Sequence, residues 1–352
     1  MARGLFYRMI KSICIVRLSA LGDVLMAVPL IRTLQSSLPH AKLTWIISKP
    51  AFDLVEGMDG VEFILIDKPN NIADYWRFKK QMKGRTFDVL LAPQASLRTN
   101  LLYPFIKAKR KIGYDEHRAN DAHGLFVNER ITPGLEHTLD GFLKFAQALG
   151  IEKRVIRWDL PITEADYEWA TQHLPKQGPI LVVNPAASKP ERSWPVDRYI
   201  EVLQRAREKW NVHVIITGGP IDFDKHLADQ IIQVIPAINL VGKTKPKQLL
   251  ALISKATVVL CPDTGPSHMA TAVNTPVIAL HAVTNPLISG PYLFQDLVVD
   301  HYPEAAEKIL GSKRIEDVWG QHVHGDEPMQ LISVDEVMEK LSTVLDDYRF
   351  PT

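Results

Sequence analysis

Short apolar runs along this 352-residue chain alternate with longer stretches in which apolar residues return every three or four positions. The runs over 12–18, 43–48, 63–67 and 87–92 are dominated by Ile, Val, Leu and aromatic residues, which predicts strands buried on both faces. Between them, 24–37, 51–58 and 74–83 have helical spacing, shown best by Leu25, Val28, Leu30, Ile31 and Leu34. A second series follows a polar stretch bounded by Pro161, Pro175 and Pro179. It predicts strands at 180–184, 212–217, 238–241, 257–260 and 276–281, helices at 196–210, 224–235 and 246–255, and a last amphipathic helix over 334–345. Strands alternating with helices imply parallel sheets covered on both faces. The expected fold is α/β, with two Rossmann-like doubly wound domains facing a cleft. Their expected bounds are 1–165 and 179–332, with a linker over 166–178 and a terminal helix within 333–352. Ligands of such sheets bind beyond the carboxyl ends of the strands.

Composition narrows the class without choosing a chemistry. Hydrophobic residues make up 46% and charged residues 23% of the chain, which describes an ordered globular protein. No apolar run approaches the roughly 18 to 20 residues that a membrane helix requires, and Arg17 and Asp23 interrupt the first apolar stretch too early for a signal peptide. Cys14 and Cys261 both fall in strand-like contexts and read as buried, reduced thiols, so the expected location is cytoplasmic. The net charge of +1 is unevenly spread: residues 1–175 carry 24 Lys and Arg against 19 Asp and Glu, and residues 176–352 carry 17 against 21. The basic excess lies between Arg77 and Arg118 and includes Arg98, Lys107, Lys109, Arg110 and Lys111. A stretch of this kind suits an acidic partner or an anionic surface, or is simply a solvated face. Nothing in the composition asks for nucleic acid as a partner.

The loops at strand ends carry the candidate chemistry. In Cys261-Pro-Asp-Thr-Gly-Pro-Ser-His-Met-Ala-Thr-Ala272 an apolar strand runs through a tight turn into a helix start. Such a start presents unpaired N–H groups and the positive end of the helix dipole, a natural seat for phosphate. Thr264 and Ser267 add hydroxyls, Gly265 lets an anion approach the backbone, and His268 can supply positive charge. A plain helix cap by Asp263 or Thr264 is the structural alternative. Asn184-Pro-Ala-Ala-Ser-Lys-Pro-Glu-Arg-Ser-Trp-Pro195 places Ser188, Lys189 and Arg192 where a diphosphate can lie, or forms a mobile surface loop. Thr217-Gly-Gly-Pro220, with Gly218, lies beside it, and Gly242-Lys243-Thr244 falls toward a nucleoside. The first loop, Arg17-Leu-Ser-Ala-Leu-Gly-Asp23, lacks the G-x-G-x-x-G spacing of a dinucleotide site. Asp23 is there either a first-turn helix stabiliser or a carboxylate general base.

Together, Ile15-Val-Arg-Leu-Ser-Ala-Leu-Gly-Asp-Val-Leu-Met-Ala-Val-Pro-Leu30, Lys189-Pro-Glu-Arg-Ser-Trp-Pro195 and Pro262-Asp-Thr-Gly-Pro-Ser-His-Met-Ala270 resemble glycosyltransferase family 9, the ADP-heptose:lipopolysaccharide heptosyltransferases. Weaker matches are Pro93-Gln-Ala-Ser-Leu-Arg98, Lys111-Ile-Gly-Tyr114, His137-Thr-Leu-Asp-Gly-Phe-Leu143 and Ala148-Leu-Gly150. The resemblance implies a GT-B architecture and an inverting, metal-independent transfer with ADP-heptose as substrate and no cofactor. It implies Asp23 as catalytic base, Thr264 and Gly265 as holders of the donor diphosphate, and Asp263 near the donor sugar. His268 ends the same motif. Arg192 stands where the family usually has lysine. Arg98 and Arg118 lie nearest the acceptor-side segments. The implied partners are a nucleotide-sugar donor and an acidic, lipid-linked saccharide acceptor, met in peripheral contact with the cytoplasmic face of the inner membrane. Two alternatives stay open: another nucleotide-sugar enzyme on this scaffold, a different transferase or an epimerase, and a non-catalytic relative that keeps only nucleotide binding. Residues 301–332 match nothing in the family; His322, His324 and Asp326 there read as a polar loop or as a metal site.

Overall fold

A computed structural model describes residues 9–347, and the chain divides between residues 161 and 162 into two compact units. The first unit holds a six-stranded sheet in the order β3-β2-β1-β4-β5-β6, every pair parallel. Its strands are β1 (Ser12–Val16), β2 (Lys42–Ile47), β3 (Val61–Leu65), β4 (Phe87–Leu91), β5 (Ala108–Gly113) and β6 (Glu129–Arg130). Its helices are α1 (Leu21–Ser37), α2 (Lys49–Val55), α3 (Ile72–Gln81), α4 (Leu97–Asn100) and α5 (Thr138–Gln147). β1 pairs with both β2 and β4, with Ile13 opposite Leu43 on one side and Val89 on the other. The chain reverses direction across the sheet at this β1–β4 boundary, which makes the exits of β1 and β4 the switch point where ligands bind. Cys14, Val16, Ile46, Leu90, Leu102 and Tyr103 pack into one core on this sheet.

The second unit repeats the design. It begins with α6 (Glu164–His173), followed by β7 (Ile180–Val183), α7 (Val196–Trp210), β8 (His213–Ile216), α8 (Asp222–Ile232), β9 (Ala237–Asn239) and α9 (Pro246–Ser254). Next come β10 (Val258–Pro262), α10 (Gly265–Ala272), β11 (Val277–His281), α11 (Pro286–Ser289), β12 (Val299–Asp300), α12 (Tyr302–Ala305) and α13 (Val334–Leu345). The sheet is parallel in the order β12-β11-β10-β7-β8-β9, so the switch point lies between β7 and β10.

Three elements differ from the sequence reading. The expected linker over 166–178 begins inside α6. Thr163 and Asp166 cap that helix reciprocally, at 3.2 Å for Asp166 N–H to Thr163 Oγ1 and 3.1 Å for Thr163 N–H to Asp166 Oδ2, and α6 packs on α9. The terminal helix is not a separate element: Val337, Met338, Leu341 and Leu345 of α13 complete the second unit's core. The expected range 333–352 runs past the described residues at 348–352, as 1–165 does at 1–8. Finally, the basic stretch around Lys107–Lys111, read as a solvated face, runs into the strand β5, where the consecutive cations Lys109, Arg110 and Lys111 lie between Ala108 and Ile112.

Candidate active site

In the first unit α1 starts three residues earlier than its apolar spacing suggests, because Asp23 serves its first turn. The Ala20 N–H donates to Asp23 Oδ2 at 3.0 Å, and Arg17 Nη2 lies 2.5 Å from the same oxygen. No hydrogen bond to Oδ1 is found among the described residues. Arg17 also donates through Nη1 to Pro93 O at 2.7 Å, packs over the Phe142 ring and has a buried Nε without a partner among the described residues. Burial works against its charge, but Asp23, with Tyr114 and Tyr103, holds the guanidinium above its ordinary value. The β4 exit is fastened beside it: Leu18 N–H donates to Gln94 Oε1 at 2.7 Å, and the Tyr114 hydroxyl donates to Pro93 O at 3.2 Å. Asp23, 30% exposed along its side chain, is thus a braced carboxylate with one oxygen unspent at the switch point.

In the second unit the exits of β7 and β10 meet through one ion pair. Arg192 Nη2 lies 2.6 Å from Asp263 Oδ2 and also bonds the Asp263 carbonyl oxygen. The Ser289 hydroxyl donates to Oδ2 at 3.3 Å, and the Thr284 hydroxyl bonds the same carboxylate. Burial alone would raise the Asp263 carboxyl, but His281, Arg192, His268 and the Thr284 hydroxyl together hold it below the usual range. His281, at the end of β11, is buried, with Nδ1 3.2 Å from both oxygens of Thr284. Burial pushes its imidazole below the ordinary value, against the pull of Asp263.

Thr264 is the N-cap of α10, yet its side chain makes no capping bond, so the structural alternative for this hydroxyl is not used. Space stands open where a side chain on Gly265 would project. Buried polar atoms without partners among the described residues gather at the same strand exits: Arg192 Nε, Ser267 Oγ, His281 Nε2 and Asn285 Nδ2. Buried polar groups are normally satisfied, so this concentration marks a place for a polar ligand. Ser188 and Lys189 are exposed on the loop after β7, which buried Trp194 anchors by donating from Nε1 to Ile332 O at 3.1 Å. At the β8 exit Gly218 must lack a side chain, since a Cβ there would come within 2.9 Å of Asp224 Oδ1. Asp224 in turn accepts the Gly219 N–H at 2.6 Å. Lys243 and Thr244 follow β9, with Lys243 Nζ 3.0 Å from Asn239 O. All the donor candidates therefore sit at carboxyl ends of four adjacent strands, β10, β7, β8 and β9.

The cations of the first unit are mostly spent. Arg118 uses Nε on Asp115 at 2.6 Å, Nη1 on Glu136 and Nη2 on Thr132 O at 3.3 Å, and so holds its own loop. Arg110 grips Glu129 with two bonds of 2.7 Å, Lys109 pairs with Asp88 at 2.9 Å, and Lys111 donates to Tyr103 O. Arg98 remains exposed, with one bond to Asn70 at 3.2 Å. Residues 301–332 form a strap of short helical turns. Val323 N–H donates to Val283 O at 2.9 Å, and His324 Nδ1 lies 2.8 Å from Glu191 Oε1. His322 is lowered by partial burial, then by Arg192 and Lys189. Among the described residues no set of three His, Cys, Asp or Glu side chains is placed to hold a metal. Sequence reasoning passed over Arg17, His281, Thr284, Asn285 and Ser289. The loop after the predicted strand 276–281 could have exposed the last four by the same carboxyl-end rule.

The profile of glycosyltransferase family 9 (heptosyltransferase) matches residues 75–316. The lipopolysaccharide core heptosyltransferase OpsX of Haemophilus influenzae is 38% identical over 340 residues, 96% of this chain and 98% of that protein. The glycosyl transferase family 9 structure from Veillonella parvula superposes with a TM-score of 0.78 at 20% identity, covering 96% of this chain and 98% of that one. E. coli heptosyltransferase WaaC with ADP gives a TM-score of 0.71 at 18% identity, with 94% and 99% covered. The two parallel sheets are thus those of the GT-B fold, and this chain belongs to glycosyltransferase family 9, the heptosyltransferases.

Proposed function

We propose that this protein moves heptose from ADP-heptose, with inversion, to a sugar hydroxyl of an acidic, lipid-linked inner-core acceptor of lipopolysaccharide. The observation that carries the mechanism is the unspent Oδ1 of Asp23 beside a fixed Oδ2. The acceptor oxygen attacks the anomeric carbon while Oδ1 takes its proton. The bond from that carbon to the diphosphate oxygen breaks, and ADP leaves with the electron pair. Negative charge grows on the diphosphate as it departs, so donors already in place there lower the barrier without reorganising. The Thr264 and Gly265 amides, the Thr264 hydroxyl and the free N–H groups of Arg192 fill that role, with Ser188 and Lys189 at its edge. Asp263, held ionised by Arg192, is an acceptor for donor-sugar hydroxyls. His268, Gly218, Lys243 and Thr244 complete the donor side, and no metal takes part in a step. Arg98 is the acceptor-side cation. The reaction runs at the cytoplasmic face of the inner membrane. What argues against the epimerase reading is the match of Asp23, in its Leu21-Gly-Asp23 loop, to the catalytic aspartate of the heptosyltransferases.

Incubation with ADP-heptose and a panel of truncated core acceptors, followed by mass spectrometry, tests this. One acceptor should gain a single heptosyl unit with release of one ADP. Release of ADP with no acceptor gaining mass, or transfer from a different nucleotide sugar alone, would overturn the reading.

A further inference from the structure

Past the carboxyl ends of β3, β4 and β5 the first unit exposes large apolar side chains. Ile72 is 75% exposed, Trp76 59%, Leu97 55% and Leu125 83%. Ile72 and Trp76 are one helical turn apart on α3, so they share a face. Leu97 opens α4, and Leu125 ends a turn at 123–125.

Hydrogen bonds tie the three segments side by side. The Tyr75 hydroxyl donates to Arg98 O at 3.1 Å, Leu97 N–H donates to Asp121 Oδ2 at 2.7 Å, and buried His123 Nδ1 lies 2.7 Å from Asn100 Oδ1. The segments follow the carboxyl ends of β3, β4 and β5, the same edge from which the Asp23 loop emerges after β1. Isolated exposed apolar residues are ordinary, but neighbours fastened together make a patch that marks an interaction site.

Charge identifies the occupant. Residues 66–107 hold eight Lys and Arg against three Asp; Arg85 and Lys107 among them enter β4 and β5 at the opposite ends of the strands, and the others lie on the segments that follow β3 and β4. Lys79 and Lys80 are exposed beside the patch, with Lys79 Nζ 4.4 Å from the centre of the Trp76 ring. A tryptophan at the water boundary with flanking lysines fits a bilayer surface, where the ring sits at headgroup depth and the cations meet anionic lipid. No helix among the described residues is long and apolar enough to cross a membrane, so the contact is superficial.

We propose that the face formed by Ile72, Trp76, Leu97 and Leu125, ringed by Lys79 and Lys80, docks this protein on an anionic lipid bilayer and presents the Asp23 edge to membrane-anchored acceptors. The proposal rests on the transfer reading only for the acceptor's lipid anchor.

The test is co-flotation of the full chain with vesicles, with neither ADP-heptose nor acceptor present. Phosphatidylethanolamine–phosphatidylglycerol vesicles should carry the protein up and pure phosphatidylcholine vesicles should not. Raising the salt should weaken the binding. Two separate variants, Ile72→Ser with Trp76→Ser and Lys79→Glu with Lys80→Glu, should each lose about tenfold or more in vesicle affinity, with native circular dichroism checked first. If one pair fails to fold, the other decides. No flotation of the unaltered chain, equal flotation of a folded variant, or a self-associated chain that the variants convert to monomer would each overturn the proposal; the last would show a face between copies. A chain that floats but transfers no heptose disproves the transfer reading and leaves this one intact. A chain that glycosylates a delipidated core sugar but ignores anionic vesicles disproves this one alone.

Discussion

The two oxygens of Asp23 do different work, and this separation makes its role testable. Oδ2 is held by the Ala20 N–H and by Arg17, and Oδ1 has no hydrogen bond among the described residues. Asp23→Asn retains an oxygen for the Ala20 N–H, so α1 should still start correctly, but the side chain can no longer take a proton. Transfer should fall by roughly 10²–10⁴-fold while ADP affinity stays unchanged, since the proposed donor residues all belong to the second unit. A folded Asp23→Asn protein with near-normal turnover would remove it from the mechanism. Arg192 has the complementary position, joined to Asp263 by Nη2 with Nε buried and without a partner among the described residues. Arg192→Ala should weaken ADP binding by roughly ten- to a hundredfold, the scale of a lost charge-assisted hydrogen bond, and should leave adenosine nearly unaffected. Equal losses for both ligands in calorimetry would place the diphosphate elsewhere. Arg192→Lys should recover only part of the affinity, because an ammonium cannot hold Asp263 and a phosphate in one plane.

Elements were legible where burial was two-sided. β1, β2, β4, β7, β10 and β11 read as apolar runs because each is covered on both faces, and their ends were placed within a few residues. β5 did not, since Lys109, Arg110 and Lys111 find their partners Asp88, Glu129 and Tyr103 across the fold, which no local pattern records. The loops with Asp23, Arg192 and Thr264 were visible from their places after strands, but Arg17, His281 and Ser289 act through contacts that only folding creates. The Lys111-Ile-Gly-Tyr114 segment gains its reason from such a contact. The Tyr114 N–H donates to His123 Nε2 at 3.2 Å, so Nδ1 carries the proton that is given to Asn100 Oδ1. A Cβ on Gly113 would stand 2.4 Å from the same Nε2, and Gly113→Ala should cost about 1–3 kcal/mol, read by denaturant melts. Burial and then Arg130 lower His123 from 6.5 to about 4. Between those values the unfolded chain binds the extra proton, so stability is full above about pH 6.5 and is lost as pH falls through about 4. At about 1.4 kcal/mol per pH unit the complete loss is on the order of 3 kcal/mol. Denaturant melts from pH 7 to 4 should show this slope flattened in His123→Phe; parallel slopes would assign the acid sensitivity to other groups.

At the scale of the whole molecule, the chain uses one architecture twice and gives each copy a different charge. The N-terminal half carries the excess of cations, and the second unit keeps its cations at the strand exits where Arg192 and Lys189 stand. This distribution leads to a prediction about metals. A divalent ion at a departing diphosphate needs carboxylates to hold it, and the carboxylate at the β10 exit, Asp263, is occupied by Arg192, Ser289 and Thr284. On the proposed reading the diphosphate meets protein cations and amides, with the helix start at Gly265 supplying the fixed dipole. Transfer should continue at an undiminished rate after the protein is dialysed against EDTA and assayed in its presence. Adding Mg²⁺ or Mn²⁺ should change kcat by no more than about twofold, because the barrier is already lowered by groups that do not dissociate. Activity abolished by EDTA and restored by one added metal would show that these fixed donors do not suffice, and the assignment of Arg192 and Thr264 as the groups that carry the leaving charge would fail with it.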